Sequence, residues 1–385
     1  MYSLSCRIIV KRLRILLIRN CIYLEREDYL VVMMKENTIS KRNSAISLSR
    51  VTGMVFIVLC HTIGYYEFVP GNSFLGQFFN CGVYLFLFIS GYLYGGKQID
   101  CFHVWYLKRF LTVSLPAIVI SFFVIVAWIL VGQQISLGTF LAYAMDLEGL
   151  LFINWNLFSV FFQEILSLGP LWFTTIIMLC YLLVPLLHRI SSKIKQCHFV
   201  LFIIIFAFIS ILVSLLLLYY CSITITYFVL FTIAFFIGKL HLLEKVNYFF
   251  FIYSLLFIIS IVGRIALRQI IDGTSIYFTY AMISYFIVGT WFVIFYAFLN
   301  NKFSVIITYI ADSVIVKKMD KYSYYIYLVH GVFCMSRFNV YDYFSLFVAT
   351  ILFVLLTSIS AVLLYYIVYY IRKPLIRKLN MYYNQ

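Results

Sequence analysis

RVTGMVFIVLCH, residues 50–61, decides how this chain is to be read. Between Arg50 and His61 lie ten uncharged, mostly apolar residues. With its flanks the stretch reaches the roughly 20 residues that a helix needs to cross a bilayer. It therefore reads as a membrane helix with a cation at its mouth and a titratable imidazole inside. Eleven residues at about 100° each make three turns plus about 20°, so both side chains lie on one face, about 16 Å apart along the axis. An ionisable group at membrane depth is costly and turns toward the bundle interior or a water-filled cavity. An interfacial anchor followed by a histidine bonded to a neighbouring carbonyl has the same sequence signature. No carboxylate lies one turn from His61 on its own helix, so a carboxylate partner has to come from another span.

Working outward, the whole chain has the same character. Its 385 residues are 64% hydrophobic, 20% aromatic and only 11% charged, whereas a soluble protein carries about a quarter charged residues. An all-α polytopic membrane protein is expected, a bundle of about ten transmembrane helices. The spans fall near 47–67, 77–96, 110–133, 170–188, 199–219, 223–241, 247–269, 276–299, 322–338 and 344–371. Placing both termini in the cytoplasm gathers the basic residues on the inside, as cytoplasmic loops require. Of the 29 Lys and Arg, only Arg264, Arg268 and Arg337 fall elsewhere. The net charge of +15 is thus a topological signal, and no nucleic-acid partner is implied. The nine cysteines are scattered without a CxxC pair and read as small buried hydrophobes, giving neither disulfides nor a metal site.

Residues 1–44 stand apart, because "CRIIVKRLRILLIRN" interleaves cations with aliphatics and is too charged to span. It reads either as a basic amphipathic surface helix or as an upstream extension of a protein that starts at Met33 or Met34. Residues 45–372 form the transmembrane domain and 373–385 a cytoplasmic tail. The connection 134–169 holds no Lys or Arg but includes Asp146, Glu148, Asn154, Trp155, Asn156 and Glu164; it is expected on the outer side.

Four more islands carry chemistry. "NCGVYLFLFISGYLYGG" (80–96) sets Ser90 and Gly91 in the second span, where small residues also serve tight packing. "HVWYLKRFLTVSLP" (103–116) brings Lys108 and Arg109 to the side of Arg50. "GPLWF" (169–173) opens the fourth span. "YSYYIYLVH" (322–330) aligns Ser323, Tyr327 and His330 in one stripe, the second histidine at membrane depth.

These islands, in this order, resemble the integral-membrane acyltransferase 3 family, which O-acetylates bacterial surface polysaccharides and related glycans. The resemblance covers about residues 46–372. It rests on the arginine–ten residues–histidine spacing, "LFLFISGYLY", the basic pair before Pro116, "GPLWF" and the Tyr-x-x-His of "YLVH". It implies a bacterial cytoplasmic membrane protein that uses a cytosolic acyl-CoA, acetyl-CoA above all, with no bound cofactor. It further implies a glycan acceptor and an essential His61. Many members carry a second arginine where this chain has Thr112, which weakens the analogy at the donor phosphates.

The chemistry of such a donor suits the residues. Arg50, Lys108 and Arg109 are placed to hold acyl-CoA phosphates, guanidinium being suited to bidentate contacts. The thioester then reaches His61, which acts either as general base or as a transient acyl carrier. Tyr327, His330 and Ser90 are the residues to orient His61 or to bond the oxyanion. On the acceptor side, Trp155 with Asn154 and Asn156 offers a stacking surface and amides for a sugar, or else an interfacial aromatic belt. Arg264 and Arg268 either bind an anionic glycan or pair with Glu148 or Glu164. The competing function is a carrier exporting a glycan or lipid-linked sugar, with the histidines as a proton relay.

Overall fold

The computed structural model describes residues 43–64, 72–152, 170–194, 219–271 and 274–383, with 201, 205 and 208. The basic segment before residue 43, Asn154, Trp155, Asn156 and nearly all of the span expected at 199–219 lie outside the described residues. Within them the chain is helical and shows no strand. Helices α1 (Ser44–Gly64), α2 (Asn72–Phe79), α3 (Cys81–Gly95), α4 (Phe102–Phe110), α5 (Ser114–Leu130) and α6 (Leu137–Ala144) come first. They are followed by α7 (Trp172–Lys193), α8 (Tyr219–Lys239), α9 (Phe250–Ile271), α10 (Ser275–Lys302), α11 (Ser304–Asp312), α12 (Val314–Cys334) and α13 (Leu346–Tyr383).

Seven helices among the described residues are long and apolar enough to cross a membrane, or eight if the bent pair Ile225–Lys239 and Leu242–Tyr248 is one span. Helix α12 is not among them because Lys317, Lys318, Asp320 and Lys321 crowd its first half. Helix α13 runs on through Pro374, so the helix includes residues 373–383 of the expected tail.

Close contacts fix the register of the helices around the site. Gly53 of α1 meets Leu85 and Phe86 of α3, while Gly82 meets Ile57, so these helices run antiparallel. Gly91 and Gly95, one turn apart, let the α3 backbone touch α8 at Phe231 and Phe235; a Cβ on Gly91 would sit 2.7 Å from the Phe231 carbonyl. This is the small-residue packing expected where lipid offers helices no hydrophobic drive to associate.

Helix α12 is the spine of the site. From its first half upward, Asp320 bonds Arg50 of α1 and the Tyr324 hydroxyl donates to the Val113 carbonyl. The Tyr327 hydroxyl then donates to the Pro170 carbonyl, and His330 meets His61. Arg337, beyond the helix end, lies over the Trp128 ring of α5 at 5.7 Å. The order of these contacts makes α1, α5 and α12 parallel. Pro170 can approach because Gly331 has no side chain: a Cβ there would lie 2.7 Å from the proline ring.

One expectation needs correction. The start of the 134–169 connection does not stay beyond the far end of α5. The Asp146 carboxyl lies beside Ser114, at the opposite end of that helix. Its carboxylate accepts from Thr174 and its carbonyl from Thr175 (2.8 Å), whose oxygen also accepts from Gly149 N–H at 2.9 Å. The chain therefore folds back through α6 and docks on the first turn of α7. Asp146 sits at φ 56°, a left-handed conformation that Asp tolerates better than most residues.

Candidate active site

Two neutral-capable rings meet at the centre of the site. His61 Nδ1 lies 2.7 Å from His330 Nε2. The ring planes are 6° apart and the centroids 5.0 Å apart. That separation with so short an N···N contact means the rings meet edge to edge. His330 Nδ1 lies 2.6 Å from the Tyr327 carbonyl. A carbonyl only accepts, so His330 Nδ1 carries the hydrogen and its Nε2 the lone pair. His61 Nδ1 must then donate to that lone pair, which leaves His61 Nε2 unprotonated. His330 is fully buried, whereas His61 is half-buried. The network thus points one basic nitrogen out of a closed chain of hydrogen bonds.

At the other end of the same helix pair, Arg50 makes a fork with Asp320: Nε to Oδ1 at 2.8 Å and Nη2 to Oδ2 at 3.0 Å. The arginine side chain is 36% exposed and the aspartate 8%. Arg109 sits at this same level, since it is one turn before Val113 and Asp320 is one turn before Tyr324. Its guanidinium lies over the Tyr94 ring at 5.9 Å, and its buried Nε has no hydrogen-bond partner. Lys108 helps line a nearby pocket of about 200 Å³ with Asp100, Cys101 and Trp105.

The remaining sequence candidates divide between these two ends. Tyr327 holds the histidines through its carbonyl, and its hydroxyl is committed to Pro170. Ser90 is not beside them. It accepts a long 3.5 Å bond from Tyr181, in a cluster with Tyr94 and Trp105. Because α3 runs antiparallel to α1, Ser90 lies level with the Arg50 end. Arg264 and Arg268, one turn apart on α9, meet different partners: Arg268 abuts the Gln77 carboxamide, while Arg264 is buried over the Tyr285 ring at 4.3 Å.

Sequence reasoning gave no role to Asp320 or Asp146 and offered Glu148 only as a partner for Arg264 or Arg268, a pairing absent among the described residues. Asp320 appears in the sequence only as one acid among lysines. Asp146 and Glu148 are buried at 8% and 4% exposure. Burial pushes the Asp146 carboxyl up to about 7 and Glu148 well above the carboxylate range, the second also raised by the first. Glu148 Oε2 has no partner. The available signal was the Thr174–Thr175 pair just after "GPLWF", which caps the returning loop.

A polar dyad, a basic rim and the motif residues that link them are thus assembled on four helices. The acyltransferase domain model matches residues 43–370. The chain belongs to the acyltransferase 3 family. No curated protein and no solved structure matches it. As a family member the protein is an acyltransferase and a multi-pass membrane protein, and the carrier reading gives way. Every contact made by Arg50, His61, Pro170 and His330 described above lies inside the matched region.

Proposed function

We propose that this acyltransferase moves an acyl group, acetyl in the first instance, from cytosolic acyl-CoA to a hydroxyl of a surface polysaccharide or its precursor. The setting is a bacterial cytoplasmic membrane, with about ten spans and both termini inside. The observation that carries the reading is the free Nε2 of His61, held by His330 about 16 Å along one helix face from Arg50. That spacing suits a donor whose anionic phosphates stay at the rim while its flexible arm carries the thioester inward.

In this mechanism Arg50 Nη1, Arg109 and Lys108 take the phosphates, and Ser90 with Tyr181 lines the path at their level. His61 Nε2 removes the proton of the acceptor hydroxyl as its oxygen attacks the thioester carbonyl. The resulting imidazolium is stabilised by the bond from His61 Nδ1–H to His330, a charge-assisted contact stronger than its neutral form. Collapse of the tetrahedral intermediate breaks the C–S bond. The thiolate takes the proton from His61 Nε2, which restores the starting tautomer. Trp155, Asn154 and Asn156 join the acceptor side of this scheme on sequence grounds alone.

The test is acyl transfer by the purified protein, using acetyl-CoA and the glycan of the producing cell. Comparing the acetyl content of that glycan with and without the protein checks it in the cell. Unchanged acetylation would remove the glycan acceptor, and absence of acetyl-CoA consumption would remove the donor.

A further inference from the structure

Helix α9 faces outward along almost its whole length. Phe251, Ile252, Leu255, Ile258, Ile259 and Val262 are all exposed. Its buried residues are Phe250, Ser260 and Arg264. Arg264 is only 2% exposed, has no carboxylate partner among the described residues and leaves Nη1 without a hydrogen bond. Its guanidinium rests on the face of Tyr285. A cation–π contact offsets only part of the cost of desolvating a charge. Among the described residues, this permanently charged guanidinium turned into the protein therefore has no counter-ion.

Its position says what that counter-ion belongs to. Gly289 of α10 packs on Cys81 and Leu85 of α3, and Gly82 packs on Ile57 of α1. Tyr285 lies one turn from Gly289, and His61 one turn from Ile57, both toward the same end of the bundle. Arg264, seated on Tyr285, is thus level with His61. Cys60, the neighbour of His61, and Arg264 are both within electrostatic range of Cys81. Between them lies the joint of α2 and α3, where the Asn80 side chain lies beside Tyr285. From Tyr285 the aromatic wall continues through Tyr84 at 5.7 Å, Tyr227 at 5.5 Å and Trp172 at 5.5 Å. The tyrosine rings are buried and stacked on one another, so they hold the guanidinium in place level with His61, where an anionic group on the acceptor would meet it.

Building on the proposed acyl transfer to a glycan, we infer that the acceptor is an acidic sugar, and that Arg264 binds its carboxylate or phosphate while a hydroxyl is presented to His61 Nε2. The guanidinium offers both anions a planar pair of donors.

The purified full-length protein is tested by thermal unfolding with methyl glucuronide, glucose 1-phosphate and methyl glucoside, and in wild type, Arg264→Gln and Arg264→Lys. An anionic sugar should stabilise the wild type, and the neutral glycoside should not. Apparent affinity should fall at least tenfold in Arg264→Gln and less in Arg264→Lys. Which of the two anionic sugars acts separates carboxylate from phosphate. Phenylglyoxal modification mapped to Arg264 in the wild type, and protected by the same sugar, tests the contact even if a variant does not fold. Equal stabilisation by methyl glucoside, an anion effect that survives Arg264→Gln, or no protection would each overturn the inference. Acetyl-CoA consumption is followed in parallel: its absence with anion binding intact overturns the donor reading alone.

Discussion

The α1–α12 pair and the returning segment 137–152 both bring polar groups into an apolar bundle, and they do so differently. The helix pair keeps its formal charges at one end, where Arg50 is 36% exposed. Deeper in, it uses two imidazoles whose hydrogen bonds close on the Tyr327 carbonyl. The segment instead carries two carboxyl groups to full burial and lets them hold protons. Complete pairing gives a group fixed in one tautomer, ready for chemistry at a set place. Protonation gives a group whose state depends on pH. The first suits catalysis, and the second makes that part of the fold sensitive to its surroundings.

The sharpest way to break this comparison is at His61. Replacement by Gln keeps much of the size and the polar contact but cannot accept a proton, so acyl transfer should fall a hundredfold or more, within the usual ~10²–10⁴ contribution of a general base. The inserted, folded amount of protein should not change. A folded His61→Gln protein that acylates near the wild-type rate would show that the dyad is only packing.

His330 comes next, because it acts through His61. His330→Gln should lower kcat roughly ten- to a hundredfold, the cost commonly seen when a supporting partner of a functional histidine is lost. KM for the donor should move little. An effect confined to KM would mean that His330 shapes a binding surface and does not set the tautomer.

The helix pair is largely legible in the amino-acid sequence, and the reason is local. Arg50 and His61 share a helix, so 3.6-residue periodicity alone puts them on one face. Tyr327 and His330 are likewise fixed by helical spacing. The contact between the histidines is not legible there, because it joins residues 269 apart and depends on how Pro170 docks against Gly331. Ser90 shows the same limit: its helix can be recognised, but its depth follows from the antiparallel crossing at Gly53 and Gly82. The returning segment is not legible either, since its path is set by hydroxyls of Ser114, Thr174 and Thr175 on other helices.

Arg50 and Asp320 allow the charged end to be tested for two roles at once. If Arg50 mainly binds donor phosphate, Arg50→Ala should raise the acyl-CoA KM about tenfold, roughly the 1.4 kcal/mol of one modest charge-assisted bond. Arg50→Lys should rescue only part of this, since a point charge cannot replace the planar fork. Asp320→Asn frees the guanidinium and should leave KM equal or lower. Should Asp320→Asn instead match Arg50→Ala, the ion pair would be a clamp for α1 and α12, and donor binding would lie with Arg109 and Lys108.

The smallest effect on turnover is expected at Asp146, where the readout is stability against pH. Its carboxyl titrates near 7 in the folded protein, against 3.8 for the ordinary group. Between about pH 4 and 7 the folded state therefore holds a proton that the unfolded chain has already released. Stability falls with rising pH wherever the folded state binds more protons, so this group makes the protein less stable as pH climbs through that window. Above pH 7 both states are ionised and the loss is complete. Glu148, raised well above its usual range by burial and by Asp146, contributes a fall of the same sign. Asp146→Asn removes the titrating group but keeps an oxygen to accept from Thr174, so its unfolding temperature should decline less across the window, by a few degrees. The difference between the two curves isolates the contribution from every other titrating group. A difference that is flat, or that grows in favour of the wild type as pH rises, would mean that Asp146 is ionised where it lies. The returning segment would then hold a charge at the same depth as the Tyr324 and Tyr327 contacts, and its contrast with the neutral histidine pair would be gone.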